Sequence, residues 1–530
     1  MDKGLKEQKV ININALENSI IQEIRRYKSH EILVGIKKAL KDLNDPKSIL
    51  HRYLPKGLPF FIAAGIAAFA VRFSNPYKNG KPFDWRALSR LETLVSQYLL
   101  SDPITFDKEL GEKFKESNPT FLMLRIAASQ FAYNINPIIC YSHPLILYGE
   151  AIKEATRHTI ITQFDFHTEF EKLIGTTLEN FLKVGFISWA ASSANSGFTR
   201  GYFEAARKQG IRIPDDKTIL TVLNNISATS QKFRETFEKR RVSDRRFRAY
   251  DFNPLFSYPL IRPWKGGHLL GMDSDKMIAP VPDLIGYRCS TGIYYQMFNT
   301  YSNIFSDWFG YVLEAYIGII LKKSINHQRL ISGEIIRKSY SGKVVDWVVI
   351  DGNSALIFEV KAIKFSRPAL AIASEEDINK SLKQVIKGLK QLKEFRDAIL
   401  SKKKGLEDLH HCTEVILILI SYEKFYLINS VLFKKHVNSL LAQDNINIPF
   451  WIILSVDELE NLQPYLFFGV GFAETIKNIE KNSFNSVLKD LHTVTGKTTK
   501  DSYFYEKNED FFKKILSDSN ISQSNIKSTV

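Results

Sequence analysis

Residues 344–350 (Val-Val-Asp-Trp-Val-Val-Ile) and 355–362 (Ala-Leu-Ile-Phe-Glu-Val-Lys-Ala) flank the turn Asp351-Gly352-Asn353-Ser354. Two runs rich in β-branched and aromatic residues around an Asp-Gly-Asn turn read as adjacent antiparallel strands. Side chains alternate faces along a strand, so Glu359 and Lys361 point the same way, and Asp346 on the first strand sits across from them. Two carboxylates and an ammonium on strands this apolar are costly unless they pair or hold a metal. The segment therefore reads as an active site. The plain alternative is a Glu–Lys surface pair on an edge strand, and the apolar neighbours Ile357, Phe358 and Val360 argue against it.

The flanking residues extend the pattern. Residues 305–321 place Trp308, Phe309, Val312, Leu313, Tyr316, Ile317 and Ile320 at helical spacing, with Glu314 as the one acid between Trp308 and Leu321. A lone carboxylate on such a helix needs a partner or a cation; the alternative is a marginal residue paired with Lys322 or Lys323. Residues 334–339 read as a first strand, with Ser341-Gly342 as its turn. Ser374-Glu375-Glu376-Asp377 opens an amphipathic helix that runs to about Leu400. Its polar face carries Lys380, Lys383, Lys387, Lys390 and Lys393, with Gln384 and Gln391 seven apart. Residues 414–420 form an unbroken apolar run suited to a strand covered on both faces, and 449–455 read as the last strand.

Asp346-x12-Glu359-x-Lys361, in this order of elements, resembles the PD-(D/E)XK phosphodiesterase superfamily of restriction enzymes, RecB-type nucleases and junction resolvases. The resemblance covers roughly residues 305–454. It implies a restriction-endonuclease-like αβββαβ domain with a mixed sheet, in a chain that is α+β overall. It implies Mg2+ or Mn2+ held by Asp346, Glu359, the Val360 carbonyl and the helix residue Glu314, with Lys361 orienting or activating the attacking water. Asp346, Glu359, Lys361 and Glu314 would be the catalytic set, joined by a helix glutamine that is either Gln384 or Gln391. The expected reaction is hydrolysis of DNA phosphodiesters. By analogy with restriction-type proteins, the setting is bacterial defence against foreign DNA, with a possible homodimer or second defence subunit. The rivals are an RNA-cleaving toxin-like nuclease and a non-catalytic nucleic-acid-binding subunit.

The 530 residues exceed one ordinary core, and the net charge of +15 suits a polyanionic partner. Three scattered cysteines make neither a disulfide framework nor a zinc spacing, which makes a reducing, cytoplasmic setting the default. The charged N-terminus lacks the pattern of a signal peptide, and the apolar stretch 58–71 is short for a membrane span, so no membrane partner is expected. No P-loop, Rossmann fingerprint or His-Glu-x-x-His is present. Helix-like recurrence covers 19–43, 84–100, 119–133, 164–191 and 217–240. Lys232, Arg234, Lys239, Arg240, Arg241, Arg245, Arg246 and Arg248 are interleaved with Phe233, Phe237 and Phe247. Of this segment Arg240, Arg241, Arg245, Arg246 and Arg248, with Lys387, are the expected nucleic-acid contacts; the alternative is a solvated helix end with its phenylalanines in the core. The expected domains are a helical one over 1–250, a Pro/Gly-rich packed connector over 251–300, the nuclease-like domain over 301–475 and a polar helical extension with a fraying tail over 476–530.

Overall fold

Among the described residues seven strands punctuate a mostly helical chain. In the first half β1 (Ser227–Thr229) and β2 (Leu260–Arg262) pair in parallel. The other five, β3 (Arg329–Ser332), β4 (Trp347–Asp351), β5 (Ser354–Lys361), β6 (Glu414–Ser421) and β7 (Ile452–Ser455), form one sheet in chain order. The pairs β3–β4 and β4–β5 are antiparallel, while β5–β6 and β6–β7 are parallel, so the sheet is mixed. Parallel neighbours need a crossover. Helix Glu375–Leu400 supplies it between β5 and β6, and Val431–Ala442 between β6 and β7. This computed structural model describes residues 12–516 except 75–79, 108, 113–118, 134, 137–138, 156–158, 263–275, 326–327, 364–370, 372–374, 426 and 469. The Ser374 cap and the tail after Ser517 lie outside the described residues.

Strand alternation sorts the sheet into two buried faces. Val349, Leu356, Phe358, Ile416, Ile418 and Ile420 share a core with helix Thr291–Ser324. Val348, Ile350, Ile357, Leu417 and Leu419 share another with Leu382, Val385 and Leu389 of helix Glu375–Leu400. Each fully buried side chain of this kind is worth about 1.5–3 kcal/mol, which is why β6 carries apolar residues without alternation.

The edge of the sheet departs from the sequence pattern. Residues 334–339 were expected as a strand, but Gly333–Ile336 is a helical turn and the edge strand is Arg329–Ser332. The chain leaves the sheet at Gly333, whose N–H donates to the Asp346 carbonyl at 2.7 Å. A Cβ there would lie 2.2 Å from the Val345 carbonyl oxygen, so only glycine allows the approach. Beyond it Ile336 is buried and Ile335 is 56% exposed.

Other expected elements are longer or shorter than the periodicity suggests. Residues 305–321 are part of a single element, Thr291–Ser324, bent at Ser302, and it runs through the expected boundary at 300/301. Expected helices 19–43, 164–191 and 217–240 are each two helices, broken between Ile24 and Ser29, between Ile174 and Leu178, and at β1. The apolar stretch at 58–71 is the buried helix Phe60–Phe73. Thr291–Ser324 has the length and hydropathy of a membrane span, but 61% of its most apolar window is buried inside the protein, as in a core helix. The C-terminal helix Tyr503–Leu516 docks on the helical half: Phe512 packs on Phe186, and the Arg212 N–H donates to the Ile515 carbonyl.

Candidate active site

The register β4–β5 pairs Trp347 with Phe358, which sets the preceding residue, Asp346, opposite Glu359. Asp346 N–H donates to the Phe358 carbonyl at 3.0 Å, and its Oδ2 accepts from the Val360 N–H at 2.7 Å. The carboxylate is thus fixed by the backbone of the strand that carries its partners. Glu359 is fully buried; its Oε1 accepts from Lys361 Nζ, and its Oε2 has no partner. Glu359 lies under the cover helix, since a Cβ on Gly388 would be 3.7 Å from Glu359 Cγ. Lys361 sits at the end of β5 beside Ser421 of β6, with about a quarter of its side chain exposed.

Glu314 approaches from the long helix. A Cβ on Gly318 would lie 2.2 Å from the Trp347 ring, so glycine lets this helix seat directly on β4. Trp347 Nε1 then donates to the Glu314 carbonyl at 3.0 Å. Burial, and next the charge of Asp346, hold the Glu314 carboxyl well above the usual range, with Arg337 and Lys361 opposing. Glu359 is raised for the same two reasons, with Lys361 opposing. Burial pulls the Lys361 ammonium down, but Glu359, Asp346 and Glu314 outweigh it and leave Lys361 above its ordinary value. Arg337 was not singled out in the sequence, because it lies in the stretch read as a strand.

Among the described residues, Lys361 and Arg337 are the cations that oppose the acid gathered at the hairpin. Like charges in a low-dielectric site disfavour simultaneous ionisation. The unpartnered Glu359 Oε2 and the hard oxygens of Asp346 fit a divalent cation that takes one or two carboxylates and completes its shell with water and phosphate oxygens. Among the described residues no group of three or more His, Cys, Asp or Glu side chains is spaced to hold a metal.

The two glutamines are distinguished by their surroundings. Gln391 is half-buried and donates to the Val344 carbonyl at 3.0 Å, anchoring the entry to the hairpin, whereas Gln384 is exposed. Lys387 is exposed on the same helix. In the basic segment Phe233, Phe237 and Phe247 are in the core and unavailable to stack on bases. Arg241 pairs with Glu238, Arg246 with Asp244 and Asp107, and Arg248 with Glu17. Arg240 lies 4.6 Å from the Phe252 ring centre; both it and Arg245 are exposed.

A cleft of about 1480 Å³ opens beside the sheet. Its walls include Arg240, Arg241 and Arg248 from the helical half and Tyr422, Glu423, Lys424 and Phe425, which follow β6. Asp346, Glu359 and Lys361 are not among its lining residues. No family model, curated protein or solved structure matches the chain.

Proposed function

We propose that the chain is a metal-dependent nuclease that hydrolyses DNA phosphodiesters at the β4–β5 hairpin. The observation that carries this reading is the juxtaposition of Asp346, Glu359 and Lys361: a backbone-fixed carboxylate opposite a buried one with a free oxygen, and a lysine on the same face. The order helix, three antiparallel strands, helix, parallel strand supports a restriction-endonuclease-like domain. The net charge of +15 supports a polyanionic substrate.

Asp346 and Glu359 are the residues that would hold Mg2+ or Mn2+. A bound divalent ion would neutralise charge on the phosphoryl oxygens and acidify water. Lys361 Nζ, kept protonated by its carboxylate neighbours, orients the attacking water and stabilises charge that grows on the phosphorus oxygens. Water adds to phosphorus, the bond to the leaving sugar oxygen breaks, and that oxygen takes a proton. Glu314, raised by burial, sits electrostatically coupled to this set from the helix side.

The test is cleavage of plasmid DNA and single-stranded RNA with Mg2+ or Mn2+, comparing the full chain with Lys361→Ala and Asp346→Ala. DNA nicking or linearisation lost in both variants supports the reading. Cleavage of RNA alone replaces the substrate. The second reading is a non-cutting nucleic-acid-binding subunit, supported by the exposed Arg240, Arg245 and Lys387. Tight DNA binding that is unchanged in both variants, with no cleavage of either substrate, selects it.

A further inference from the structure

The cleft between the helical half and the sheet, which is also lined by Asp251, Glu423, Asp457 and Glu460, contains a buried arginine with no described carboxylate at ion-pair distance. Arg288, on the helix Asp283–Cys289, lines the cleft yet is only 4% exposed. Its Nη2 donates to Gln296 Oε1, and its guanidinium sits 5.2 Å from the Phe181 ring centre. Its Nη1 donates to nothing among the described residues, and no described carboxylate stands at ion-pair distance. Arg72 lines the same cleft at 8% exposure. It lies 3.5 Å from the Phe237 ring centre and 4.5 Å from that of Phe73, again with no described carboxylate at ion-pair distance. Burial pulls both guanidiniums down, to about 10.

A buried cation with no counter-charge is a poor way to stabilise a fold. Elsewhere this chain pairs such charges: Arg125, 3% exposed, makes two 2.8 Å hydrogen bonds to Asp102. Arg288 is left for an anion from outside, whereas Arg72, stacked on Phe237, feels the charges of Glu17, Glu238 and Asp251. Guanidinium presents several donors in a fork that fits phosphate oxygens. The cleft wall also offers half-buried aromatic rings, Phe256, Tyr258 and Tyr287, with Phe256 and Tyr287 in edge contact at 4.9 Å. Lys232 lies over the Tyr258 ring at 4.4 Å. The volume of about 1480 Å³ exceeds the roughly 300–1,000 Å³ of a typical small-molecule pocket.

We propose that this cleft binds a nucleoside phosphate, with Arg288 taking phosphate oxygens and the Phe256, Tyr258 and Tyr287 wall taking the base. The ligand is either a free nucleotide or a nucleotide of an unpaired strand. The site is separate from the hairpin carboxylates and does not rest on the nuclease reading.

Isothermal titration of the full chain in EDTA with ATP, and separately with a single-stranded oligodeoxynucleotide, tests it. Saturable binding of at least one probe is expected, competed by inorganic phosphate and weakened about tenfold or more by Arg288→Gln. The melting temperature of ligand-free Arg288→Gln is expected to equal or exceed that of the parent, because the substitution removes an uncompensated charge. ATP binding identifies the free nucleotide as the source; binding of the oligonucleotide alone identifies the strand. If Arg288→Gln melts lower, Arg72→Gln decides in the same assay. Neither probe saturating, or parent-like affinity in every folded variant, overturns the proposal. Metal-dependent cleavage and its loss in Asp346→Ala are unaffected by that failure, so the two readings fall separately.

Discussion

The hairpin and the cleft are opposites in charge. At the hairpin, Glu314, Asp346 and Glu359 crowd around one lysine, and a carboxylate oxygen is buried without a partner. In the cleft, Arg288 is buried with no described carboxylate at ion-pair distance. The hairpin carboxylates are short of a cation, and Arg288 is short of an anion. A third region shows what the chain does when only the fold is at stake: Asp102 and Arg125 are both buried, doubly hydrogen-bonded, and completed by the Tyr250 hydroxyl at 2.7 Å. The difference teaches that Glu359 and Arg288 are each short of a partner beside a place that an external ligand could occupy, while Lys37, buried away from both regions, is likewise without a described carboxylate.

The sharpest break of that comparison is in the paired region. Asp102→Asn leaves Arg125 buried without its counter-charge and is expected to cost about 3–5 kcal/mol in urea denaturation. A loss below about 1 kcal/mol would erase the contrast between paired and unpaired charge. At the hairpin, Lys361→Ala is expected to lower metal-dependent DNA cleavage about a hundredfold or more, and to lower the melting temperature as well because it leaves the buried Glu359 without its cation. Gly318→Ala pushes a methyl group into the Trp347 ring and is expected to destabilise by about 1–3 kcal/mol. It would also displace Glu314 from the hairpin, so cleavage should fall with stability.

Glu423 sharpens the cleft side. Burial alone raises its carboxyl to about 8 from the ordinary 4.5. Its folded value lies above its unfolded value, so its contribution is fully present below about 4.5 and is lost as pH rises through about 8. Denaturation curves across that window should show stability declining in the parent and a flatter profile in Glu423→Gln. An unchanged slope would remove Glu423 as the cause. The smallest effect is expected at Gln391→Ala, which frees the Val344 carbonyl and should cost about 1 kcal/mol in the same assay.

Alternation and turn chemistry made the hairpin legible, together with the shared face of Glu359 and Lys361 and the helix that brings Glu314. The edge strand was not legible. Glu334-Ile335-Ile336 has strand composition, but Gly333 makes a backbone contact with residues that follow it, and that contact turns the chain out of the sheet. Helix lengths in the first half failed for a similar reason. Periodic apolar spacing continues across Ile174–Leu178, and across the short β1 strand whose partner β2 lies far along the chain.

The sequence by itself determined the chemistry on offer: which carboxylates and lysine share a strand face, and that the apolar runs around them must be buried. It did so because period and turn type are local properties of the chain. Only the tertiary structure decided which charges are compensated. Arg241, Arg246 and Arg248 lie in the basic segment yet are paired within the protein, whereas Arg288, unremarkable in the sequence, is buried with no described carboxylate at ion-pair distance. Pairing depends on side chains brought together across long sequence separations, such as Arg248 with Glu17, and no local pattern encodes that distance.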